Sequence, residues 1–505
     1  MRKVTPVFYA SLLLSLIFIA WGGAAPKNLD KVSSAAQAFL QEHFGWFYLI
    51  SASIILIFAI YLAFSKYGDI KLGKDDDEPE YSRFSWFAML FSAGMGIGLV
   101  FWGVAEPVSH LHEPPFGEGM TSEAGENALL FSFFHWGLHP WGIYALIALA
   151  LAYFKFRRDV PGTISATFYP LIGSKVNGPI GWIIDTIAVF ATVFGVATSL
   201  GLGAIQINGG ATYLNSDIPN QFSTQFLIII GVTILFMLSA LSGIGRGIKW
   251  LSNGNIILAI SLFVFFLVLG PTTFLFDSFT TTLGSYIQKL PQISFRLAPF
   301  DEGGNDWIQG WTVFYWAWWI AWSPFVGTFI ARVSRGRTIR EFVFGVLAVP
   351  TLFCALWFTM FGGTGISMDL FDGGGIWEAM NQGENTELAL FATLDHLPLS
   401  IVATVIAIIL ISTFFITSAD SATFVLGMQT TNGLFNPPFI VKFIWGLVQS
   451  AAAAVLLYSG GLEALQTASI VSAFPFVFVL LLMMVSLHLG LQKEFEPQTS
   501  KKKVF

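Results

Sequence analysis

Stretches of about 20 apolar residues recur from one end of this chain to the other, and that recurrence confines its fold. A helix needs about 20 such residues to cross the roughly 30 Å hydrocarbon layer, and inside that layer a backbone must satisfy its own hydrogen bonds, which leaves helices or closed barrels. The runs are continuous, without the alternation a barrel strand would show. Twelve can be drawn, at roughly 5–24, 46–65, 84–105, 127–154, 178–205, 225–243, 250–276, 306–330, 341–362, 398–428, 437–459 and 463–489. Charged residues make up 11%, against about a quarter in soluble domains. The expected fold class is therefore an all-α polytopic membrane protein with 12 transmembrane helices. The first run follows Met-Arg-Lys and ends in WGGAA in the manner of a signal peptide, but its length favours a retained helix. The single cysteine, Cys354, sits in an apolar run, which excludes a disulfide framework and a cysteine metal site.

Charge assigns the sides. With the N-terminus inside, the inner loops carry Lys66, Lys71, Lys74, Arg83, Lys155, Arg157, Arg158, Lys175, Arg246, Lys249, Arg332, Arg335, Arg337 and Arg340, and the outer loops only Lys27, Lys31, Lys289 and Arg296. Both ends, with Arg2, Lys3 and Lys501 to Lys503, then also lie inside, as the positive-inside rule requires. Those last lysines can meet anionic lipid.

Helix interruptions suggest an internal repeat. The third run carries Gly94, Gly96 and Gly98 in SAGMGIGLVFWGVAEP, and the eighth carries WSPFVG around Pro324. Transporters built from inverted repeats place their sites where matching helices of the two halves break. The expected organisation is two N-terminal helices and a loop (1–83), a five-helix unit (84–276), an outer amphipathic segment or polar loop (277–305), a second five-helix unit (306–489) and a short basic tail (490–505). Five is odd, so the two units are inverted. A small-residue packing face is the alternative for the glycines, but positions 94, 96 and 98 do not share one.

The aromatic residues carry the chemistry. In FHWGLHPWGIY, Trp136, Trp141 and Tyr144 can face one cavity despite Pro140, and in WAWWIAWSPF, Trp318 and Trp322 lie four apart while Trp319 and Trp322 lie three apart. Rings drawn together from two helices suit a quaternary ammonium, which has no N–H to donate and is held by π faces at about 1–2 kcal/mol each when desolvated. Packing bulk is the alternative for any single ring, and Trp316 has no further assignment. Glu106, Asp185 and Asp420 are intramembrane acids, functional suspects by default but read here as structural. Thr417 and Ser418 in FFITSADS, with carbonyls freed around Met95, are cation-ligand candidates, although Thr-Ser in a helix ordinarily bonds its own backbone. His110 and His112 fall in an expected outer loop without a third ligand. Enzyme motifs such as a P-loop, nucleophile elbow or HExxH are missing from the sequence, and nothing in it supports nucleic-acid binding.

The segments AGMGIGLVFWGVAEP, FHWGLHPWGIY, ATVFGVATSLGLGAIQI (191–207), WAWWIAWSPFVGTFIARVSRGRTIREF and ITSADSATF resemble the betaine/choline/carnitine transporter family of secondary carriers, in order and along nearly the whole chain. The resemblance implies a LeuT-like fold of the neurotransmitter-sodium-symporter class, a homotrimer in a bacterial inner membrane, and Na⁺-driven import of trimethylammonium solutes by alternating access. It implies an ammonium box of Trp136, Trp141, Tyr144 and Trp319. Trp318, Trp322 and Phe325 would line the route, and backbone around Gly96 and Gly98 would meet the substrate carboxylate. It further implies a Na⁺ site of Ser92, Met95, Phe414, Thr417 and Ser418. Choline carriers of the family tend to have Asp where this chain has Gly98, and a bare glycine is expected to leave room for a zwitterion's carboxylate, which favours betaine. A second Na⁺ site near Thr192 and Phe325 is in question, because Val196 stands where a second hydroxyl is expected; Thr198 and Ser199 are substitutes. Choline or carnitine exchange, or an aromatic-lined channel or sensor, remain alternatives.

Overall fold

The computed structural model describes residues 4–94, 96–242, 245–381 and 385–495, with the side chains of 91–94, 240–242 and 245–250 outside that description. Helices α1 (Pro6–Ala24) and α2 (Pro26–Phe64) each open on a proline, whose missing N–H is no loss in a first turn. α2 starts twenty residues before the expected run, so Lys27 and Lys31 lie on a helix and not in a loop. Its polar first half finds partners: Gln37 bonds Thr467, and Gln41 Nε2 donates to the Gln309 carbonyl at 2.8 Å.

The third run is interrupted as expected, between α3 (Arg83–Gly94) and α4 (Ile97–His112), with Gly96 extended at φ −154°, ψ −173°. The fourth is divided into α5 (Ser122–Trp136) and α6 (Leu138–Ala152) at Gly137 and not at Pro140. Pro140 sits in the first turn of α6, where it is tolerated, and the Leu138 N–H freed at the break donates to Tyr286 Oη at 3.0 Å. A π turn over Tyr153–Arg157 and the four-residue α7 (Tyr169–Ile172) lead to α8 (Pro179–Leu214). Then come α9 (Phe222–Ser242) and α10 (Gly245–Leu269), the latter stopping ahead of Pro271 and so short of the expected 276. The segment 277–292 is helical, within amphipathic α11 (Thr272–Ser294).

The eighth run departs from expectation. After α12 (Glu302–Ile308) and a π turn over Gln309–Val313, α13 (Phe314–Val333) is unbroken through Pro324. Proline cannot donate to the carbonyl four residues back, but Ser323 Oγ donates to that Ile320 carbonyl at 2.6 Å. The orphan is satisfied locally and the helix continues.

α14 (Ile339–Ser367), the short α15 (Ile376–Asn381) and α16 (Ala389–Asp395), α17 (Ser400–Gln429) and the 54-residue α18 (Phe439–Gln492) complete the chain. α18 leaves helical geometry at Gly460 and Gly461, where the eleventh and twelfth expected runs meet. Among the described residues, nine helices are long and apolar enough to cross a membrane. The remaining expected runs are the divided α3 and α4, the tryptophan-rich α13, and the second half of α18.

α13 lies in the middle, packed on α6, α8 and α18, while α14 packs on α4. α9 and α10 present Leu227, Ile234, Leu238, Ile257 and Val268 outward, as a lipid-facing surface requires. At the basic end the loop 65–82 is clamped to the turn after α13. Leu72 N–H donates to the Arg337 carbonyl at 2.8 Å, Gly336 N–H to the Leu72 carbonyl at 2.9 Å, and Arg335 pairs with Asp77 at 3.0 Å. The Arg335 guanidinium, helped by the Lys74 backbone N–H, holds the Asp77 carboxyl below its ordinary range. Of the basic tail, the residues beyond 495, including Lys501 to Lys503, lie outside the described residues.

Candidate functional site

A fully buried carboxylate organises the centre of the bundle. Glu106, on α4, has four side-chain partners: His135 Nδ1 at 2.7 Å and His110 Nε2 at 3.3 Å on one oxygen, Trp136 Nε1 at 2.8 Å and Tyr315 Oη at 2.6 Å on the other. A buried charge persists only when paired and hydrogen-bonded, and these partners come from α4, α5 and α13. His135 is fixed in turn by Thr312 Oγ1 at 2.9 Å from its Nε2, and its backbone carbonyl accepts from Trp319 Nε1 at 2.9 Å. The carboxylate thus orients Trp136 directly and Trp319 through His135. Glu106, His110 and His135 bring one carboxylate and two imidazole donors within 4.8 Å, a set of metal-ligand type. Both carboxylate oxygens, however, are already doubly engaged by protein groups, so the set acts as a hydrogen-bonded hub. The expected loop placement of His110 and His112 is corrected: both lie on the last turn of α4, and His112 Nε2 meets Asp369 at 3.0 Å.

Around this hub the rings form one continuous wall. Trp136 stands edge-on to Trp319 (4.7 Å, 74°) and to Trp318 (6.2 Å, 88°). Trp319 meets Tyr144 edge-on at 6.2 Å, and Tyr144 meets Trp141 at 5.5 Å. The four sequence-expected box residues are therefore linked, all buried. Trp318 stacks on Trp319 at 4.8 Å, and Trp322 meets Phe325 at 5.4 Å. The hydroxyl of Tyr144 and the indole nitrogens of Trp318 and Trp322 are buried without a partner among the described residues. Such groups are costly unless a ligand or water completes them. Trp316 is packing, stacked on His139 at 5.1 Å.

The glycines sit beside these rings. A Cβ on Gly98 would lie 2.4 Å from Trp318 Cη2 and 3.3 Å from Trp136 Cη2, whereas one on Gly96 would meet Trp322 at an ordinary 3.6 Å. The expectation that Gly98 leaves room for a carboxylate is therefore revised. In this conformation the Trp318 ring occupies that space, and glycine is required for the ring's approach.

The cation-site residues are only partly brought together. Phe414 is buried on α17, and Ser418 lies near it, half-buried. Thr417 Oγ1 donates to the Thr413 carbonyl at 3.0 Å and accepts from Asn255 Nδ2 at 3.1 Å. Asn255 Oδ1 is buried without a partner among the described residues. Met95 and the side chain of Ser92 lie outside the described residues. For the second set, Thr192 Oγ1 donates to the Ala188 carbonyl at 2.7 Å. Of its substitutes, Thr198 turns to α18, with the Leu465 carbonyl and Ser469 Oγ each 2.9 Å away, and Ser199 lies 3.4 Å from its own Gly195 carbonyl.

Beyond Phe325 a cavity of about 370 Å³ opens toward the basic end, lined among others by Lys155, Arg332 and Asp420. Asp185 is engaged structurally, accepting from Ser165 N–H at 2.7 Å and Ser165 Oγ at 2.6 Å. At the opposite end, burial raises the Glu387 carboxyl above its ordinary value although the Asn220 amide donates to it at 2.6 Å. Sequence reasoning missed the hub of Glu106, His135 and Tyr315, and it missed Asn255. The four-residue spacing of Glu106 and His110 was the visible signal, obscured by reading the second as loop.

The family model described as BCCT, betaine/carnitine/choline family transporter, matches residues 6–496. The glycine betaine transporter OpuD of Bacillus subtilis is 56% identical over 496 residues, covering 98% of this chain and 96% of that protein. A probable glycine betaine transporter of Desulfitobacterium hafniense is 47% identical, with 98% of each chain covered. An ectoine/hydroxyectoine transporter of Virgibacillus pantothenticus is 46% identical, covering 97% of this chain and 96% of that one.

Proposed function

Because this chain belongs to the betaine/carnitine/choline family of transporters, we propose that it imports glycine betaine, or a close methylated zwitterion, by Na⁺ symport across a bacterial inner membrane for osmoprotection. It would do so with twelve crossings in a LeuT-like arrangement, both termini cytoplasmic, as a homotrimer. The observation that carries the substrate class is the linked wall of Trp136, Trp141, Tyr144 and Trp319. Three or four desolvated rings at about 1–2 kcal/mol each offset the cost of stripping water from a quaternary ammonium. The carboxylate of the zwitterion is served by the first N–H groups of α4, which begins after extended Gly96 and offers the partial positive charge of a helix start. Binding there requires Trp318 to swing off Gly98. For the coupling ion, Thr417 and Ser418 on α17, joined by Asn255 Oδ1, are the oxygen donors, with Phe414 beside them on the same helix; Met95, around which carbonyls are expected, lies outside the described residues.

The test is labelled glycine betaine uptake into proteoliposomes under an imposed Na⁺ gradient. Choline, carnitine and ectoine serve as competitors, ectoine being informative because its cation carries N–H groups that rings do not need. Saturable uptake that collapses when K⁺ replaces Na⁺ is expected; equal uptake in K⁺ refutes the coupling. Trp319→Ala is expected to abolish saturable uptake, and unchanged affinity would remove the cage from the account.

A further inference from the structure

The cavity beyond Phe325 has a lining that the ring site does not explain. Its walls are mostly apolar and include Phe325, Phe329, Phe424 and Phe435, yet it also holds Lys155, Arg332 and Lys442 against a single acid, Asp420. Asp420 lies within electrostatic reach of Lys442. Lys155 Nζ stands 3.6 Å from the centre of the Phe435 ring, and the Arg332 guanidinium lies 5.7 Å from the same ring. Elsewhere at this end, Arg83, Arg157, Arg158, Arg335, Arg337 and Arg340 all pair with carboxylates. Lys155 and Arg332 have no carboxylate partner within 4.0 Å among the described residues. Lys155 is half-buried in the wall, and Arg332 stands at the exposed mouth.

A partly desolvated cation left without its counter-charge is costly, and here it faces space of ligand size. Phenylalanine rings and two cations that have no carboxylate partner within 4.0 Å among the described residues line one space, and these are the two kinds of group needed by the two ends of a small zwitterion with a bulky apolar cation and a carboxylate. The net positive lining repels a cation that lacks an acid.

We propose that this cavity is a second, transient substrate subsite on the release side, in which Lys155 and Arg332, gathered at Phe435, take the carboxylate and the rings of Phe325, Phe329 and Phe424 take the quaternary ammonium. The inference rests on the transport reading above and extends it: discrimination between betaine and choline is exercised twice, at the rings and again at the exit. No bond is made or broken; the substrate moves from one aromatic surface to the next, with Phe325 shared between them.

The experiment compares right-side-out with everted membrane vesicles from cells lacking other betaine carriers, using labelled glycine betaine and measuring half-saturation from each face. Lys155→Gln combined with Arg332→Gln is expected to raise the everted value relative to the right-side-out value by about fivefold, the size of one partly exposed charge contact. Arg332→Lys, in place of Arg332→Gln, recovers most of that ratio. Unlabelled choline, a weak inhibitor from the everted face of the parent protein, becomes a stronger one in the double variant, a gain that misfolding cannot imitate. An unchanged ratio and unchanged choline inhibition in a variant that still transports overturn the subsite. Should the double variant not reach the membrane, Lys155→Gln alone, read by the same ratio, decides. If the parent protein takes up no betaine from either face, the transport reading itself fails, which is a different result from an unchanged ratio.

Discussion

Replacing Glu106 by glutamine tests whether one buried carboxylate sets the geometry of the aromatic wall. The side chain keeps its volume but exchanges one acceptor oxygen for an NH₂ group. If that NH₂ faces Trp136 and Tyr315, the tyrosine can rotate to accept, but the indole N–H, 2.8 Å away, can only donate and is orphaned at about 1–3 kcal/mol. If it faces the histidines, His135 can present a bare Nδ1 and turn its proton to Thr312 through Nε2, 2.9 Å away. The second placement costs less. What it loses is charge assistance in the bonds to Trp136 and Tyr315, about 1 kcal/mol each if a charged acceptor doubles a neutral bond. The total of about 2 kcal/mol corresponds to roughly a 30-fold change in an equilibrium constant. Betaine affinity of Glu106→Gln, read by quenching of tryptophan fluorescence in detergent, is therefore expected to fall about 10- to 30-fold, with Na⁺ dependence retained. Tyr315→Phe should lose part of the same energy, so the pair combined should fall short of the sum. Parent affinity in Glu106→Gln, or strict additivity with Tyr315→Phe, would refute the idea that the carboxylate holds the rings as a unit.

Other expectations follow from single contacts. Gly98→Ala places a Cβ 2.4 Å from Trp318; overpacking of this kind costs about 1–3 kcal/mol, so the thermal midpoint of the unliganded protein should fall, while Gly96→Ala, whose Cβ meets Trp322 at an ordinary 3.6 Å, stays near the parent value in the same melt. Asn255→Ala and Thr417→Ala should each raise the Na⁺ concentration needed for half-maximal uptake while leaving maximal uptake at saturating Na⁺ near the parent level; unchanged Na⁺ dependence in both removes α10 and α17 from the ion site. The Asp77 carboxyl is held below its ordinary 3.8 by Arg335, so its contribution to the loop clamp is present above that value and is lost as pH falls through the lower folded-state value. Proteolysis of the loop 65–82 should therefore rise below about pH 4, and Asp77→Asn should show the same susceptibility at neutral pH.

What could be read from the sequence followed periodicity and composition, and what could not depended on contacts between distant spans. The clustering of aromatic rings was legible because Trp141 and Tyr144 are three apart on one helix and Trp318, Trp319 and Trp322 repeat at helical spacing on another, and the structure links these rings. The break at Gly96 was legible because alternate glycines do not share a helical face. Glu106 was visible as an acid in an apolar run, but its partners Trp136 and Tyr315 lie 30 and 209 positions away in the chain, and no local pattern announces them. Pro324 misled for the converse reason. The rule that proline breaks a helix presumes an orphaned carbonyl, and Ser323 removes that orphan within a single turn. Gly98 was read as leaving room for a carboxylate, whereas the space beside it is taken by the Trp318 ring, a neighbour that only packing reveals.

These differences divide the site into a firm part and an adjustable one. α13 runs unbroken beneath Trp318, Trp319 and Trp322, and it packs on α6, α8 and α18, so its rings move only as side chains or with the whole helix. The elements facing it are discontinuous: α3 gives way to α4 at Gly96, and α5 to α6 at Gly137, where Tyr286 of amphipathic α11 closes the gap from outside. Motion that opens one face and closes the other is then expected at the two breaks, with α13 as the surface they move against. Hydrogen exchange in the presence and absence of betaine distinguishes the parts. Amides of α13 around Ile320 should exchange slowly in both states, whereas those of Ile97 and Leu138, at the first turns after the breaks, should slow on binding. Fast, ligand-sensitive exchange around Pro324 with none at the breaks would reverse the assignment and make α13 the moving element.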